Sequence, residues 1–322
     1  MKGKEYHLGL IGLPLDHSIS PAIQKAALSN CGFSGDYRLY PIPRLPEGNE
    51  QLCALLAQVR SGDLHGLNVT IPHKQAIIPY LDEVTDTAGI VGAVNMIFRQ
   101  EDRLIGDNSD APAFRVDLLR FLDIAGRHQS VVFPNRYKHS PEKSGGIPAT
   151  ALVLGAGGAA RAVVYTLLQE GWQIIVASRR LTTAMKLVTE FEGQFTRRFR
   201  QLRSIPMDRD NLRRITDCHL IVNATPVGTI SGEEASPWPF DLPLPAGSVI
   251  YDLVYNPPET LLVRTARNAG LAATTGLGML VEQAATAFER WTRVSAPRTA
   301  MHFAACKSLG LFKDFSGSYQ GY

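Results

Sequence analysis

Residues 149–180 read ATALVLGAGGAARAVVYTLLQEGWQIIVASRR: an apolar run, a cluster of glycines, a longer amphipathic run and a second apolar run. A strand from Ala151, a helix through Gln169 stopped by Gly171, and a second strand over 174–177 account for that order. The segment is a β-α-β unit. In its turn, Gly155, Gly157 and Ala160 fit the spacing G-x-G-x-x-G/A. The first glycine permits the tight turn, the second lets the backbone approach a pyrophosphate, and the small third residue lets helix and strand pack closely. An anion bound there meets free N–H groups and the positive end of the helix dipole. Any tight β-α turn asks for glycine, so the motif draws its weight from the strand and helix on either side.

The end of the second strand distinguishes two cofactors. An NAD site usually places an acidic residue there to accept from the ribose hydroxyls. This chain has Ser178, Arg179 and Arg180 instead. A carboxylate would repel a 2′-phosphate, whereas guanidinium groups bind it in bidentate fashion and stack on adenine. NADP is therefore the expected cofactor. The competing reading is that the two arginines merely cover a loop.

Outward from this unit, DCHLIVNATPVG (217–228) and GSVIYDLVYNPPE (247–259) each read as an apolar strand ending in small or polar residues. Open parallel sheets bind ligands at the carboxyl ends of their strands, which turns Asn223, Thr225 and Tyr255 toward the crevice beside the glycine turn. The first 115 residues carry their own alternation of strand and helix, through YHLGLIG, SPAIQKAALSNCG, DYRLYPI, EQLCALLAQVRSG and HGLNVTIP. Ser20 before Pro21 reads as a helix N-cap. Ser18 and Ser20 also stand where a strand has just ended, beside His17. At 65–74, HGLNVTIPHK, a β-rich run ends in polar groups. That is expected if its carboxyl end delivers Asn68, Thr70 and Lys74 into a cleft and Pro72 stops the strand and sets the turn. Near the C-terminus a helix starts at Leu277; Met279 and Gln283, four apart, share one face.

Composition bounds what such a chain does. Its 322 residues with 45% hydrophobic content suit two domains with a core each. A formal net charge of +3 is too mild for nucleic-acid binding yet does not repel a small anion. The basic run RRFRQLRSIPMDRDNLRR (197–214) lacks interleaved aromatic platforms and contains aspartates, so it reads as a solvated helix and loop face. Cys31, Cys53, Cys218 and Cys306 lie far apart without C-x-x-C spacing, against a zinc site or a disulfide framework. No signal peptide or membrane-length apolar run is evident, and a reduced cytoplasm is the expected location. His17, His65 and His73 have no carboxylate or cysteine at ligand spacing, so structural or peripheral roles are expected and no metal.

Taken in order, GLPLDHSISPAIQ, GLNVTIPHK, GAVN, GDNSD, GAGGAAR, NATPVG, YDLVYNPPETLL and GLGMLVEQAATAFERW resemble the shikimate dehydrogenase family, from about Leu8 to Trp291. The resemblance implies an α/β protein of two domains. A substrate domain of 1–115 plus 279–322 would hold a mainly parallel sheet, and a Rossmann-type doubly wound domain of 116–278 would bind NADP. It implies that Ser18 and Ser20 bind the substrate carboxylate with help from Tyr255, and that Asn68, Thr70, Asn95 and Gln283 bind its hydroxyls. Lys74 and Asp110 match the catalytic pair. The implied cofactor set is Gly155, Ala156, Gly157, Gly158 and Ala159 at the turn, Ser178, Arg179 and Arg180 at the second strand, Asn223, Ala224, Thr225 and Val227 beyond the next, and Gly276 with Met279.

The chemistry supports those roles. Oxidising a secondary alcohol sends a hydride from carbon to the nicotinamide while a proton leaves oxygen, so an acid/base group must touch that hydroxyl. Lys74 can exchange the proton and Asp110 can orient it. Serines at both positions of SxS match shikimate users, whereas a threonine at the second is seen in quinate users. The expected substrates are shikimate and 3-dehydroshikimate, taken as small molecules by a monomer or homodimer that binds neither nucleic acid nor membrane. A quinate or dual-substrate dehydrogenase and a catalytically silent sensor on the same fold are the alternatives. The chain departs from the family at Gln24 and Lys25, often histidine and asparagine, and at Ser109 and Ala111 within the family's NTDG. A further departure is the long connection at 127–150, read as an interdomain loop or a partner contact.

Overall fold

Strands and helices alternate along the computed structural model, which describes residues 4–128, 149–194, 202–230 and 234–312. The first half comprises β1 (Glu5–Gly12), α1 (Ser20–Asn30), β2 (Ser34–Pro41), α2 (Asn49–Ser61), β3 (Gly66–Val69), β4 (Glu83–Val84), α3 (Asp86–Val91), β5 (Met96–Gln100), β6 (Arg103–Asp107) and α4 (Asp110–His128). The second comprises β7 (Thr150–Leu154), α5 (Gly158–Gln169), β8 (Gln173–Ser178), α6 (Leu181–Gln194), β9 (Leu202–Pro206), α7 (Arg209–Arg213), β10 (Leu220–Asn223), β11 (Val249–Asp252), α8 (Leu261–Asn268), β12 (Ala273–Thr275), α9 (Leu277–Thr292) and α10 (Arg298–Ser308). Most of the 127–150 connection, from 129 to 148, lies outside the described residues, as does 197–201 of the basic run.

Two six-stranded sheets result, ordered β2-β1-β3-β5-β6-β4 and β12-β11-β10-β7-β8-β9. Every pairing in the second is parallel. Numbered from β7, its order is the doubly wound 3-2-1-4-5-6, with the reversal between β7 and β10. Its inner strands β11, β10, β7 and β8 are buried on both faces, as continuous apolar runs such as 151–154 require. The first sheet is parallel at β1-β2, β1-β3 and β4-β6 and antiparallel at β3-β5 and β5-β6. This inserted hairpin aligns Asn68 with Met96 and Met96 with Asp107 across three strands. The end of β3, the start of β5 and the end of β6 thereby share one edge.

Two helices join the sheets. On α4, Phe114, Leu118 and Leu122 belong to the core of the second sheet. On α9, Met279 packs into that core, whereas Ala284, Phe288 and Trp291 fill the core of the first. The helices meet where Asp117 accepts from the Tyr251 hydroxyl and from the Met279 backbone. Gly278 is required there, because a Cβ would lie 2.0 Å from Asp117 Oδ1. Trp291 is seated the same way: its Nε1 donates to Ile97 O at 3.1 Å, and a Cβ on Gly66 would lie 2.0 Å from the indole nitrogen.

Ser20 is not the N-cap of α1. Ile19 occupies the cap position, no side chain caps the helix, and Ser20 is the first helical residue, buried, with Pro21 after it. The reason is that the first helical bond runs from Ile23 N to Ile19 O at 3.2 Å, which puts the boundary one residue upstream of Ser20, whose own N–H donates to Ser18 Oγ at 3.4 Å. Among the described residues no helix is long and apolar enough to cross a membrane, and no group of three or more His, Cys, Asp or Glu could hold a metal ion.

Phe288 is fully buried in the first sheet's core although it lies near the far end of the chain. Phe288→Ala is expected to lower the unfolding free energy by about 3–5 kcal/mol, read from the denaturant midpoint at unchanged slope. A cost below about 1 kcal/mol would show that α9 is not integral to that core.

Candidate active site

A cleft of about 540 Å³ opens at the carboxyl ends of the strands of both sheets. Its size suits a small metabolite with part of a cofactor. Ser18, Ser20, Asn68, Thr70, Lys74, Asn95 and Asp110 line it from the first sheet, and Ala159, Ala224, Thr225 and Gly276 from the second. Tyr255, Met279 and Gln283 complete the wall.

The catalytic candidates touch. Lys74 Nζ lies 2.5 Å from Asp110 Oδ2, with side chains only 14% and 7% exposed. Lys74 stands within the turn after β3, where Val94 N donates to its carbonyl at 2.7 Å. The neighbouring His73 is buried, with Nε2 2.8 Å from Ile42 O, a structural role as expected. Asp110 opens α4, where the dipole favours a carboxylate. Its second oxygen accepts from Asn95 Nδ2 at 2.8 Å, and Asn95 Oδ1 accepts from Ser109 N at 2.7 Å. Asn108 ties the same turn down, donating to Ala93 O at 2.8 Å and accepting from Ala111 N at 3.0 Å. Ala111, where the family has glycine, is buried in a small cluster with Val91, Ala93 and Ala162.

Asn68 is held by a residue that sequence reading missed. The buried Tyr37 hydroxyl donates to Asn68 Oδ1 at 2.8 Å, and Asn68 Nδ2 donates to Asn95 O at 3.1 Å. One lone pair and one N–H of that amide remain to face the cleft. The Ser20 hydroxyl is also hydrogen-bonded to Tyr37, whose ionisation burial opposes strongly. In DYRLYPI nothing but its strand position marks Tyr37. Thr70 lies one residue beyond β3, its methyl packed over Gly12. Burial raises the Tyr255 phenol above its ordinary range, and the half-buried Gln283 donates to Leu280 O at 3.0 Å.

Across the cleft, Gly155 has φ +113 and a Cβ there would sit 3.0 Å from Ala224 O, so the turn after β7 is open only to glycine. Ala156 is buried, Gly157 caps α5 without a side-chain bond, and open space surrounds the place its Cβ would take. The first N–H groups of α5 are therefore accessible to a phosphate, and the residues present fit a dinucleotide. A Cβ on Gly158 would lie 3.2 Å from Lys74 Cβ and Cδ, so this turn rests directly on the lysine stem. Ser178 ends β8, and Arg179 and Arg180 follow it, exposed and outside the cleft itself. Gly155, Ala156, Gly157, Gly158, Asn223 and Val227 also stand behind its lining.

Asn223 shapes the loop after β10: its Oδ1 accepts from Thr225 N at 2.9 Å and from Thr225 Oγ1 at 2.7 Å, and its Nδ2 donates to Val227 O at 3.0 Å. The same Nδ2 donates to Asp252 Oδ1 at 2.8 Å. Asp252 was also missed, though an acid within the apolar run VIYDLV was a legible signal. It is fully buried and accepts from Val254 N at 3.0 Å and Thr260 Oγ1 at 2.7 Å. The described part of the basic run departs from the expected helix and loop face: Leu202–Pro206 is strand β9 with Leu202 and Ile205 buried, because the run's apolar residues pair with β8. Its arginines stay in solvent, exposed Arg209 pairing with Asp241 at 2.6 Å.

Comparison with known proteins points to one family. The family model described as shikimate dehydrogenase substrate binding domain matches residues 10–97, and that described as shikimate 5'-dehydrogenase C-terminal domain matches 276–305. A shikimate dehydrogenase (NADP(+)) of Methanopyrus kandleri is 36% identical over 304 residues, 94% of this chain and 95% of the relative. The crystal structure of a Thermus thermophilus shikimate 5-dehydrogenase in complex with NADP(H) and shikimate matches with TM-score 0.73 at 35% identity, covering 94% of this chain and 100% of that one. A Corynebacterium glutamicum quinate dehydrogenase in complex with NAD matches with TM-score 0.77 at 27% identity, covering 95% and 100%.

Burial pushes the Asp252 carboxyl up to about 6, from the ordinary carboxylate range, against the pull of its three hydrogen bonds. A raised folded-state value favours folding below the unfolded value and loses that contribution as pH climbs through about 6. Relative to Asp252→Asn, the native chain should therefore gain a few kcal/mol of stability as pH falls from above 6 to about 4, measured by urea unfolding of both proteins. Parallel stability profiles for the two would dismiss this assignment.

Proposed function

The chain belongs to the shikimate dehydrogenase family, and from that premise we propose that it interconverts shikimate and 3-dehydroshikimate with NADP. The observation that carries this reading is the buried contact between Lys74 and Asp110 at 2.5 Å, set in the cleft directly beneath the glycine turn. When bound, NADP supplies the hydride acceptor and NADPH the donor. Proton movement, orientation and exclusion of water fall to the chain.

In the oxidative direction the substrate hydroxyl gives its proton to the uncharged Lys74 amine, which becomes the ammonium of the ion pair with Asp110, as the adjacent C–H bond yields its hydride; in reduction the Lys74 ammonium returns that proton to the carbonyl oxygen. Asp110 keeps Nζ in place, and the bond from Asn95 keeps Asp110 in place. Ser18 and Ser20, with Tyr255, receive the ring carboxylate. Asn68, Thr70, Asn95 and Gln283 pair with the ring hydroxyls, and buried partners of this kind discriminate strongly against analogues lacking them. Ser178, Arg179 and Arg180 receive the 2′-phosphate, which favours NADP over NAD. We place the enzyme in a reducing cytoplasm, in keeping with its four free cysteines.

Initial rates with shikimate or quinate crossed against NADP or NAD test the whole reading. Dominant turnover of shikimate with NADP supports it; preference for quinate or NAD reassigns the serines or the arginines, and no turnover in any pairing leaves a silent binder. Lys74→Ala should lower kcat by roughly 10²–10⁴ while KM for shikimate stays within a few-fold. Unchanged turnover would remove Lys74 from the mechanism. Replacing Arg179 and Arg180 together by alanine should raise KM for NADP and spare NAD, and equal weakening of both would refute the phosphate contact.

A further inference from the structure

Arg161, the last residue of GAGGAAR, is only 5% exposed, and its partners lie outside its own helix. Its Nε donates to Val91 O in the last turn of α3, its Nη1 pairs with Glu190 of α6 at 2.6 Å, and its guanidinium stands over the Phe191 ring at 5.4 Å. Burying a guanidinium costs free energy that an apolar residue of similar volume would avoid. The adjoining contact between α3, α4 and α5 is already apolar, made of Val91, Ala93, Ala111 and Ala162. Directional bonding rather than filling space is what an arginine adds there.

Its placement links the two halves of the site. Gly92 closes α3 at φ +65, and a Cβ there would lie 2.5 Å from Arg161 Nη2, so glycine admits the guanidinium. Directly after Gly92, Val94 N donates to Lys74 O at 2.7 Å and Asn95 N to Asp107 O at 3.1 Å. One turn before Arg161, Gly158 rests on the Lys74 stem. Thr166 of the same helix adds a second tie, donating to Ala111 O at 3.0 Å.

We propose that Arg161 is a positioning residue that sets the N-terminus of α5, the seat of the cofactor's pyrophosphate, in register with Lys74 and Asn95. This rests on the dehydrogenase reading above. The cofactor binds on α5 and the substrate on the first sheet, and Arg161 lines neither. Its loss should spare each ligand alone and disturb only their mutual placement, where about 1 Å of error costs up to 10²-fold.

The test compares Arg161→Met and Arg161→Lys with the native enzyme. Dissociation constants for NADPH alone, by its fluorescence, and for shikimate alone, by calorimetry, should stay within about 3-fold. The single-turnover rate of hydride transfer should fall about 10- to 100-fold in Arg161→Met, with a larger isotope effect from deuterated NADPH. Arg161→Lys keeps the charge but cannot span Val91 and Glu190 together, so its rate should lie between. An unchanged hydride rate in the folded Arg161→Met overturns the proposal, as does a loss shared equally with both binary affinities. If that variant does not fold, a native rate in Arg161→Lys overturns it. Amide exchange at 92–95 should quicken in whichever variant folds, and unchanged exchange also counts against the proposal. That last readout needs no substrate, so it separates failure here from failure of the functional reading.

Discussion

A lysine and an aspartate held 2.5 Å apart and almost out of water is the contact around which the first sheet is arranged. Burying two charges has a desolvation cost that their attraction offsets only if further hydrogen bonds complete the site. Asn95 supplies one such bond to Asp110, and the start of α4 supplies the field of its free N–H groups. Lys74 follows β3 and Asp110 follows β6, which are not neighbours; β5 lies between them and runs antiparallel to both. Its reversed direction puts the residue before it, Asn95, at the same edge as the ends of the other two. A wholly parallel sheet would carry Asn95 to the opposite edge. The one irregular feature of this sheet is thus what the ion pair requires.

The second sheet answers a different constraint. A dinucleotide needs a crevice with accessible N–H groups, and the reversal of strand order between β7 and β10 opens one. Gly155 turns the chain against Ala224, and Asn223 and Asp252 brace the facing loop from below. The sheets are tied through α4 and α9, where the carboxylate of Asp117 fits only because Gly278 has no side chain. The Gly158 turn lies against the Lys74 stem, so cofactor and acid/base group are adjacent without sharing an element.

Much of this was legible one segment at a time. The unit at 149–180, the strands ending near Asn223 and Asp252, and the helix from Leu277 all carry their own periodicity, because burial of one face or both is written into consecutive residues. The polar end of HGLNVTIPHK made sense only as a delivery of side chains to a ligand. Tyr37 escaped notice because its role depends on facing Asn68 and Ser20, and Arg161 because in its motif it reads as an ordinary helical arginine. Ser20 reads as a cap from its neighbours, but the first helical bond, from Ile23 N to Ile19 O, starts the helix one residue earlier.

The amino-acid sequence by itself determined the alternation of elements, the glycine turn, the arginines after β8 and the residue types brought to the strand ends. These follow from short-range periodicity, backbone freedom and charge, all properties of neighbours along the chain. Tertiary structure alone decided which strands pair and that β5 runs backwards, while the return of α9 to the first core and the turn of Asp110 toward Lys74, 36 positions away, were expected from the family resemblance and not from any local pattern. Those outcomes depend on packing and hydrogen bonds between residues far apart in the chain, and the local pattern of either partner carries no record of the other.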